Sequence, residues 1–276
     1  MQQSELRLRD AIQTNSVAVG TYASEFGTAN LPRIVKSAKA DFLFLDVEHS
    51  GWSTDTLRLL LAVSKAAGLA TVVRVARGQY QLCSLALDLG ASGAMMAMIE
   101  NEEEARALVA VTRYPPVGRR GCAFNASHDD FVVGNAEQKV TGINREVVSI
   151  AMIETPAGVE NVGAIVGTPG VDALWVGHFD LTATMGMAGH FENPEFLGAV
   201  DRIVSAAEAQ HKVVGIMAAN VQEAEGYIRR GFRLIAFGGD AALYQQTLGA
   251  GVEAVRSLAR SGVRKGLGSS DGQGGD

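Results

Sequence analysis

Short apolar runs alternate with amphipathic stretches along nearly the whole chain. The runs Val17–Ala23, Phe42–Val47, Thr71–Val75, Gly93–Met98, Val148–Ile153, Ala173–Val176, Val213–Ala218 and Leu234–Phe237 read as buried strands. Most lack strict in–out alternation, which fits parallel strands covered on both faces. Between them lie helical patterns. Thr54–Ala67 carries Leu57, Leu60, Leu61 and Val63 on one side behind a candidate cap at Ser53. Asn101–Tyr114 opens with three glutamates that suit a helix N-terminus. Pro194–His211, Val221–Arg230 and Ala241–Arg260 repeat the pattern, and Gly68, Gly90 and Gly231 follow helices where a left-handed residue is wanted. Eight strands alternating with helices predict an α/β chain folded as a single (β/α)8 barrel over residues 1–262. A doubly wound sheet is the alternative, but neither a G-x-G-x-x-G nor a G-x-x-x-x-G-K turn is present. Tyr114–Arg145, with Pro115-Pro116 near its start, reads as a long functional loop, and the Gly- and Ser-rich residues 263–276 as a disordered tail.

Composition narrows the function classes. The chain has 276 residues, 24 basic and 30 acidic, for a net charge of −6, which argues against nucleic-acid or anionic-lipid partners. Two cysteines, Cys83 and Cys122, cannot form a disulfide framework and suit a reducing compartment. No apolar stretch is long enough to span a bilayer and the N-terminus lacks an apolar leader core, so the expected location is cytoplasmic.

In a barrel of this kind chemistry gathers at the C-terminal strand ends. The second run closes on Asp46, Glu48 and His49; the third carries Arg74; the fifth leads into Glu154; the sixth leads through Gly177 to Asp180. Glu154 and Asp180 end neighbouring strands, so their carboxylates can share a divalent cation such as Mg²⁺ or Mn²⁺. His49 beside Asp46 is a candidate acid/base dyad. Arg74 offers a planar fork to a carbonyl or enolate oxygen. No lysine ends a strand, which disfavours a Schiff base. Asp240 is a candidate helix cap, and Arg119, Arg120 and His128 are candidates for an acidic substrate end.

These residues sit in DFLFLDVEHS (41–50), TVVRV (71–75), EEEARALVAVTRYPPVGRRG (102–121), IETPAGVEN (153–161), WVGHFDLTATMG (175–186) and GIMAAN (215–220). In that order they resemble the HpcH/HpaI aldolases, metal-dependent class II pyruvate aldolases of the 4-hydroxy-2-oxoheptanedioate aldolase type. The resemblance implies a TIM barrel of the phosphoenolpyruvate/pyruvate-binding type. It also implies a homohexamer (a trimer of dimers) with the last helix exchanged between protomers. It makes Glu154 and Asp180 the ligands of Mg²⁺, Mn²⁺ or Co²⁺, His49 the acid/base assisted by Asp46, and Arg74 the partner of the keto or enolate oxygen. Glu48 would order metal-bound water, the N–H groups of Phe179 and Asp180 would receive the pyruvate carboxylate, and Tyr22 and Met217 would line the aldehyde pocket. Met152, the His178-Phe179 pair and the loop after Gly121 depart from the best-known members, leaving the aldehyde partner open.

The expected activity is reversible cleavage of a 4-hydroxy-2-oxo acid to pyruvate and an aldehyde through the pyruvate enolate. A related lyase, decarboxylase or synthase on another oxo-acid is the nearest rival, and a noncatalytic acid-binding barrel the remote one.

Overall fold

The computed structural model describes residues 8–14 and 16–262. The strands β1 (Ala18–Ala23), β2 (Phe42–Asp46), β3 (Ala70–Val75), β4 (Gly93–Met96), β5 (Val148–Ile153), β6 (Ala173–Val176), β7 (Val213–Ala218) and β8 (Leu234–Gly239) close into a parallel barrel in sequential order. The helices are α1 (Leu8–Thr14), α2 (Leu31–Ser37), α3 (Thr54–Ala66), α4 (Tyr80–Asp88), α5 (Glu102–Thr112), α6 (Ala136–Glu146), α7 (Pro156–Glu160), α8 (Val162–Gly167), α9 (His178–Thr184), α10 (Pro194–Ala209), α11 (Val221–Arg229) and α12 (Asp240–Gly262). The (β/α)8 expectation is met, strand for strand.

The two faces of the strands explain why the apolar runs did not alternate. One parity of positions packs outward: Leu43, Leu45, Val73, Leu174 and Ile216 join Leu57, Leu60, Leu61, Phe196 and Ile203 of the surrounding helices. The other parity fills the barrel with Phe42, Phe44, Val72, Ile150, Met152, Trp175 and Leu234. Trp175 has room because β7 offers Gly215 opposite it, where a Cβ would lie 2.2 Å from the indole ring. Phe44 sits edge-on to both Trp175 and Tyr22, with ring centroids 5.3 Å apart in each pair.

Because side chains alternate along a strand, the inward parity continues to the strand ends. Ala18 and Gly20 lead to Tyr22, Phe42 and Phe44 to Asp46, Ala70 and Val72 to Arg74, Ile150 and Met152 to Glu154, and Gly215 to Met217. The apolar interior therefore ends in a ring of polar groups at one mouth. At the opposite mouth α1 covers the interior with Leu8, and Arg9 reaches Asp172 at 2.9 Å. Asp172 also takes Arg113 at 2.5 Å and the Ser149 N–H at 2.8 Å, a buried network that ties the N-terminal strand ends together.

Tyr114–Arg145 differs from the expected loop, since it holds the short turn Ser127–Asp129 and α6 as far as Arg145. No residue of α6 is fully buried, and the helix is mostly polar. Gly68, Gly90 and Gly231 have positive φ, as their position after helices requires. Among the described residues, those up to Asp240 form one compact unit and those from Ala241 a second. Within α12, Tyr244, Leu248, Val252, Val255 and Leu258 recur at helical spacing along one stripe. The expected disorder of 263–276 lies outside the described residues. Among the described residues no helix is long and apolar enough to cross a membrane.

Candidate active site

Asp46 is the anchor of the polar mouth. It is fully buried at the end of β2 and accepts four hydrogen bonds. Arg74 Nε donates to Oδ1 at 2.9 Å and Nη2 to Oδ2 at 2.7 Å; the Tyr22 hydroxyl donates to Oδ2 at 2.7 Å and the Glu48 N–H to Oδ1 at 3.0 Å. Register places Asp46 directly across from Arg74, which is why the fork closes on it. Burial alone would raise the Asp46 carboxyl, but the Arg74 hydrogen bonds and charge outweigh it and hold the group below the usual carboxylate range. Burial and the bond to Asp46 push the Tyr22 phenol up to about 12.

This geometry corrects the expected Asp46–His49 dyad. His49 lies three residues past the strand, with its side chain 61% exposed, and its described carboxylate neighbour is Glu48, 3.9 Å from Nε2. Glu48 also lies 3.4 Å from Arg74 Nε. Burial raises the Glu48 carboxyl, opposed by the charges of Arg74 and His49. Among the described residues Arg74 Nη1 makes no hydrogen bond, so one edge of the fork stays available.

Glu154 stands immediately after β5 and is buried. Its Oε2 accepts the Met98 N–H at 2.9 Å, whereas Oε1 has no hydrogen-bond partner. Gly177 makes room for that oxygen, because a Cβ there would lie 2.2 Å from Oε1. Burial first, and the Asp180 charge second, raise the Glu154 carboxyl to about 7. Asp180 is exposed in the first turn of α9. Phe179 and Asp180 also have first-turn N–H groups with no carbonyl four residues back to accept from them. Among the described residues no three His, Cys, Asp or Glu side chains form a ligand cluster. Two carboxylates with open positions suit a hard cation that keeps several waters.

Met217 and Tyr22 are half-buried and pack on the inner cluster. Met152 is buried within it. His178 is buried with its ring centroid 4.6 Å from Phe179 and 4.9 Å from Phe191, and burial lowers its imidazole to about 4. Phe179 itself is exposed.

One further expectation changes, the reading of Arg120 and His128 as arms for substrate. Arg120 is buried, pairs with Asp88 at 2.6 Å and lies 4.6 Å over the Tyr114 ring, so it is a loop anchor and not a free arm for substrate. His128 Nε2 meets the Tyr114 hydroxyl at 3.2 Å in the same anchor. Asp240 receives the N–H groups of Glu25 and Phe26 at 3.0 and 2.7 Å, which ties the β1–α2 loop to the end of β8. The Met98 N–H and Gly177 were not foreseen. A backbone donor leaves no residue-type signal, and Gly177 showed only as a glycine between a strand and an acidic turn.

Residues 25–247 match the family described as HpcH/HpaI aldolase/citrate lyase. The chain belongs to this family. A 5-keto-4-deoxy-D-glucarate aldolase of Salmonella arizonae is 32% identical over 239 residues, 87% of this chain and 92% of the relative. Among solved structures, an HpcH/HpaI aldolase from Desulfitobacterium hafniense superposes with a TM-score of 0.87 at 28% identity, covering 91% of this chain and 97% of that one. A family protein from Burkholderia cenocepacia gives 0.83 at 30% identity, covering 90% and 98%. Membership makes the chain an enzyme of the aldolase and lyase kind, acting on carbon–carbon bonds.

Proposed function

We propose that the enzyme reversibly cleaves a 4-hydroxy-2-oxo acid into pyruvate and an aldehyde, with a divalent cation held by Glu154 and Asp180. The observation that carries this reading is Glu154: a buried carboxylate with one oxygen fixed by Met98 and the other unpartnered beside a second carboxylate. A hard-ion oxygen donor set fits Mg²⁺, Mn²⁺ or Co²⁺. When bound, the cation supplies concentrated positive charge for the acid's carboxylate and for the charge that builds on its keto oxygen.

The chain's own residues supply the rest. Arg74, locked by Asp46, presents a fixed guanidinium edge toward the keto oxygen and costs little reorganisation as negative charge develops. His49, exposed beside Glu48, takes the proton of the C4 hydroxyl and returns one to the CH₂ carbon of the enolate. The first-turn N–H groups of Phe179 and Asp180 receive the carboxylate. Glu48 orders water next to Arg74, and Tyr22 and Met217 line the aldehyde side. The Salmonella relative's substrate, numbered from its other carboxylate, is itself a 2-keto acid with a CH₂ next to the keto carbon and a hydroxyl beyond, which supports the same substrate class. The apolar stripe of α12 supports an exchange of this helix between protomers of a hexamer.

The test needs no choice of aldehyde. Pyruvate in D₂O, followed by NMR, exchanges its methyl protons in the presence of protein and Mg²⁺, Mn²⁺ or Co²⁺, and stops when a chelator is added. Absence of exchange with every divalent ion overturns the proposal.

A further inference from the structure

Met98 is one of the few residues other than glycine with positive φ, at 58°. A left-handed methionine is held there only by its surroundings. The turn that contains it, residues 97–101, joins β4 to α5 and is stitched to the β5–α7 junction on both sides of Glu154. Met98 N–H donates to Glu154 Oε2 at 2.9 Å and Ile99 N–H to the Met152 carbonyl at 3.0 Å. From beyond Glu154, the Thr155 hydroxyl donates to Glu100 Oε1 at 2.9 Å and Asn161 Nδ2 to the Glu100 carbonyl at 2.8 Å. Gly158 completes the fit, since a Cβ there would lie 2.8 Å from the Ile99 carbonyl oxygen.

Glu100 is the hub of this stitching. Its second oxygen takes Arg77 Nη2 at 2.7 Å, and Arg77 also holds Glu104 at 2.5 Å. Glu104 in turn accepts the Glu100 N–H at 2.8 Å, which closes the loop on α5. The hydrogen bonds from Thr155 and Arg77 keep the Glu100 carboxyl below its ordinary range. Thr155 is occupied as well, because its oxygen caps α7 through the Gly158 N–H at 3.1 Å. Each contact constrains the residues flanking Glu154 and leaves its Oε1 unpartnered.

We infer that Glu100 is a positioning residue: through Thr155 and the left-handed Met98 turn it fixes the rotation of the Glu154 carboxylate and thereby sets the enzyme's affinity for its divalent cation. The inference rests on the proposed function for the identity of Glu154 as a ligand. It adds that an acidic side chain remote from the cation controls the hold on it. Groups that orient a metal ligand typically change affinity by about 10–100-fold when removed.

The experiment is Mn²⁺ binding to the whole protein without substrate, read by the loss of the free-ion EPR signal. Wild type binds Mn²⁺, and Glu154→Gln does not. Glu100→Ala and Thr155→Val each bind about tenfold or more weakly, while Thr155→Ser, which keeps the hydroxyl, binds as wild type. Circular dichroism and a melting curve confirm that each variant is folded. If Glu100→Ala does not fold, the Thr155 pair decides. Failure of wild type to bind Mn²⁺ removes the metal reading itself. Tight binding by wild type and, within twofold, by folded Glu100→Ala and Thr155→Val overturns the positioning role and leaves that reading intact.

Discussion

Replacing Asp46 by Asn separates two roles for the carboxylate: partner of His49, or anchor of Arg74. The geometry favours the anchor. Both oxygens of Asp46 face Arg74, Tyr22 and the Glu48 N–H, and the side chain is excluded from water. An asparagine keeps the shape but turns an NH₂ toward Nη2 of Arg74 and removes the compensating charge from a buried guanidinium. Breaking a buried pair costs about 3–5 kcal/mol. Glu48, 3.4 Å from Nε, remains as partial compensation and places the loss near the lower end, about 3 kcal/mol. At about 2–4 °C per kcal/mol for a chain of this size, the melting temperature falls by about 6–12 °C.

The pH dependence has a definite sign. A carboxyl held below its unfolded value of about 3.9 stabilises the fold fully above that pH and loses its contribution as pH falls through the lower native value. The variant lacks that acid-side loss. A guanidinium displaced by about 1 Å costs about 100-fold in rate, so pyruvate methyl exchange drops by that order. An unchanged melting temperature together with an unchanged exchange rate would refute the anchor role.

Three other outcomes follow from local packing. Gly177→Ala places a methyl group 2.2 Å from Glu154 Oε1, so the folded variant loses at least about tenfold in Mn²⁺ affinity at an overpacking cost of about 1–3 kcal/mol; unchanged affinity by EPR contradicts the cradle. Arg120→Ala removes the pair to Asp88 and the stacking on Tyr114 and lowers stability by about 2 kcal/mol in a urea titration, with kcat and KM for aldol cleavage unmoved. A raised KM would return Arg120 to the substrate. Cys83 is buried, which pushes its thiol up to about 12, whereas Cys122 is exposed. A disulfide reagent therefore titrates one thiol per chain in the native protein and two in guanidinium, and two fast native thiols contradict the packing.

The barrel was readable because a strand covered on both faces must be apolar at nearly every position, so each buried strand announces itself. The helices were less evenly visible. Thr54–Ala66 buries Leu57, Leu60 and Leu61 and shows a clear stripe, but Ala136–Glu146 buries nothing fully and was hidden within a presumed loop. At the site, the acidic and basic side chains were legible as polar residues ending apolar runs. Their pairing was not. Asp46 and His49 are neighbours in sequence, but the strand ends between them: Asp46 follows the inward parity of Phe42 and Phe44, and His49 lies beyond it. The true partner, Arg74, is set by the β2–β3 register, which sequence spacing does not contain. Arg120 misleads for a similar reason, since a Gly-Arg-Arg-Gly stretch looks solvated until Asp88 and Tyr114 are brought to it by the fold.

Charge balance gives the mouth of the barrel its chemical direction. Four carboxylates, Asp46, Glu48, Glu154 and Asp180, share one electrostatic neighbourhood with Arg74. Arg74 is spent mainly on Asp46 through two bonds, and the exposed His49 lies only near Glu48. Burial raises the Glu154 carboxyl most, and repulsion from Asp180 adds to it. A proton on Glu154 relieves its charge but leaves the Asp180 charge in place. A divalent cation relieves both carboxylates at once and needs an unpartnered oxygen such as Oε1 offers. On the proposed function, the same cation would supply the charge that a developing enolate requires.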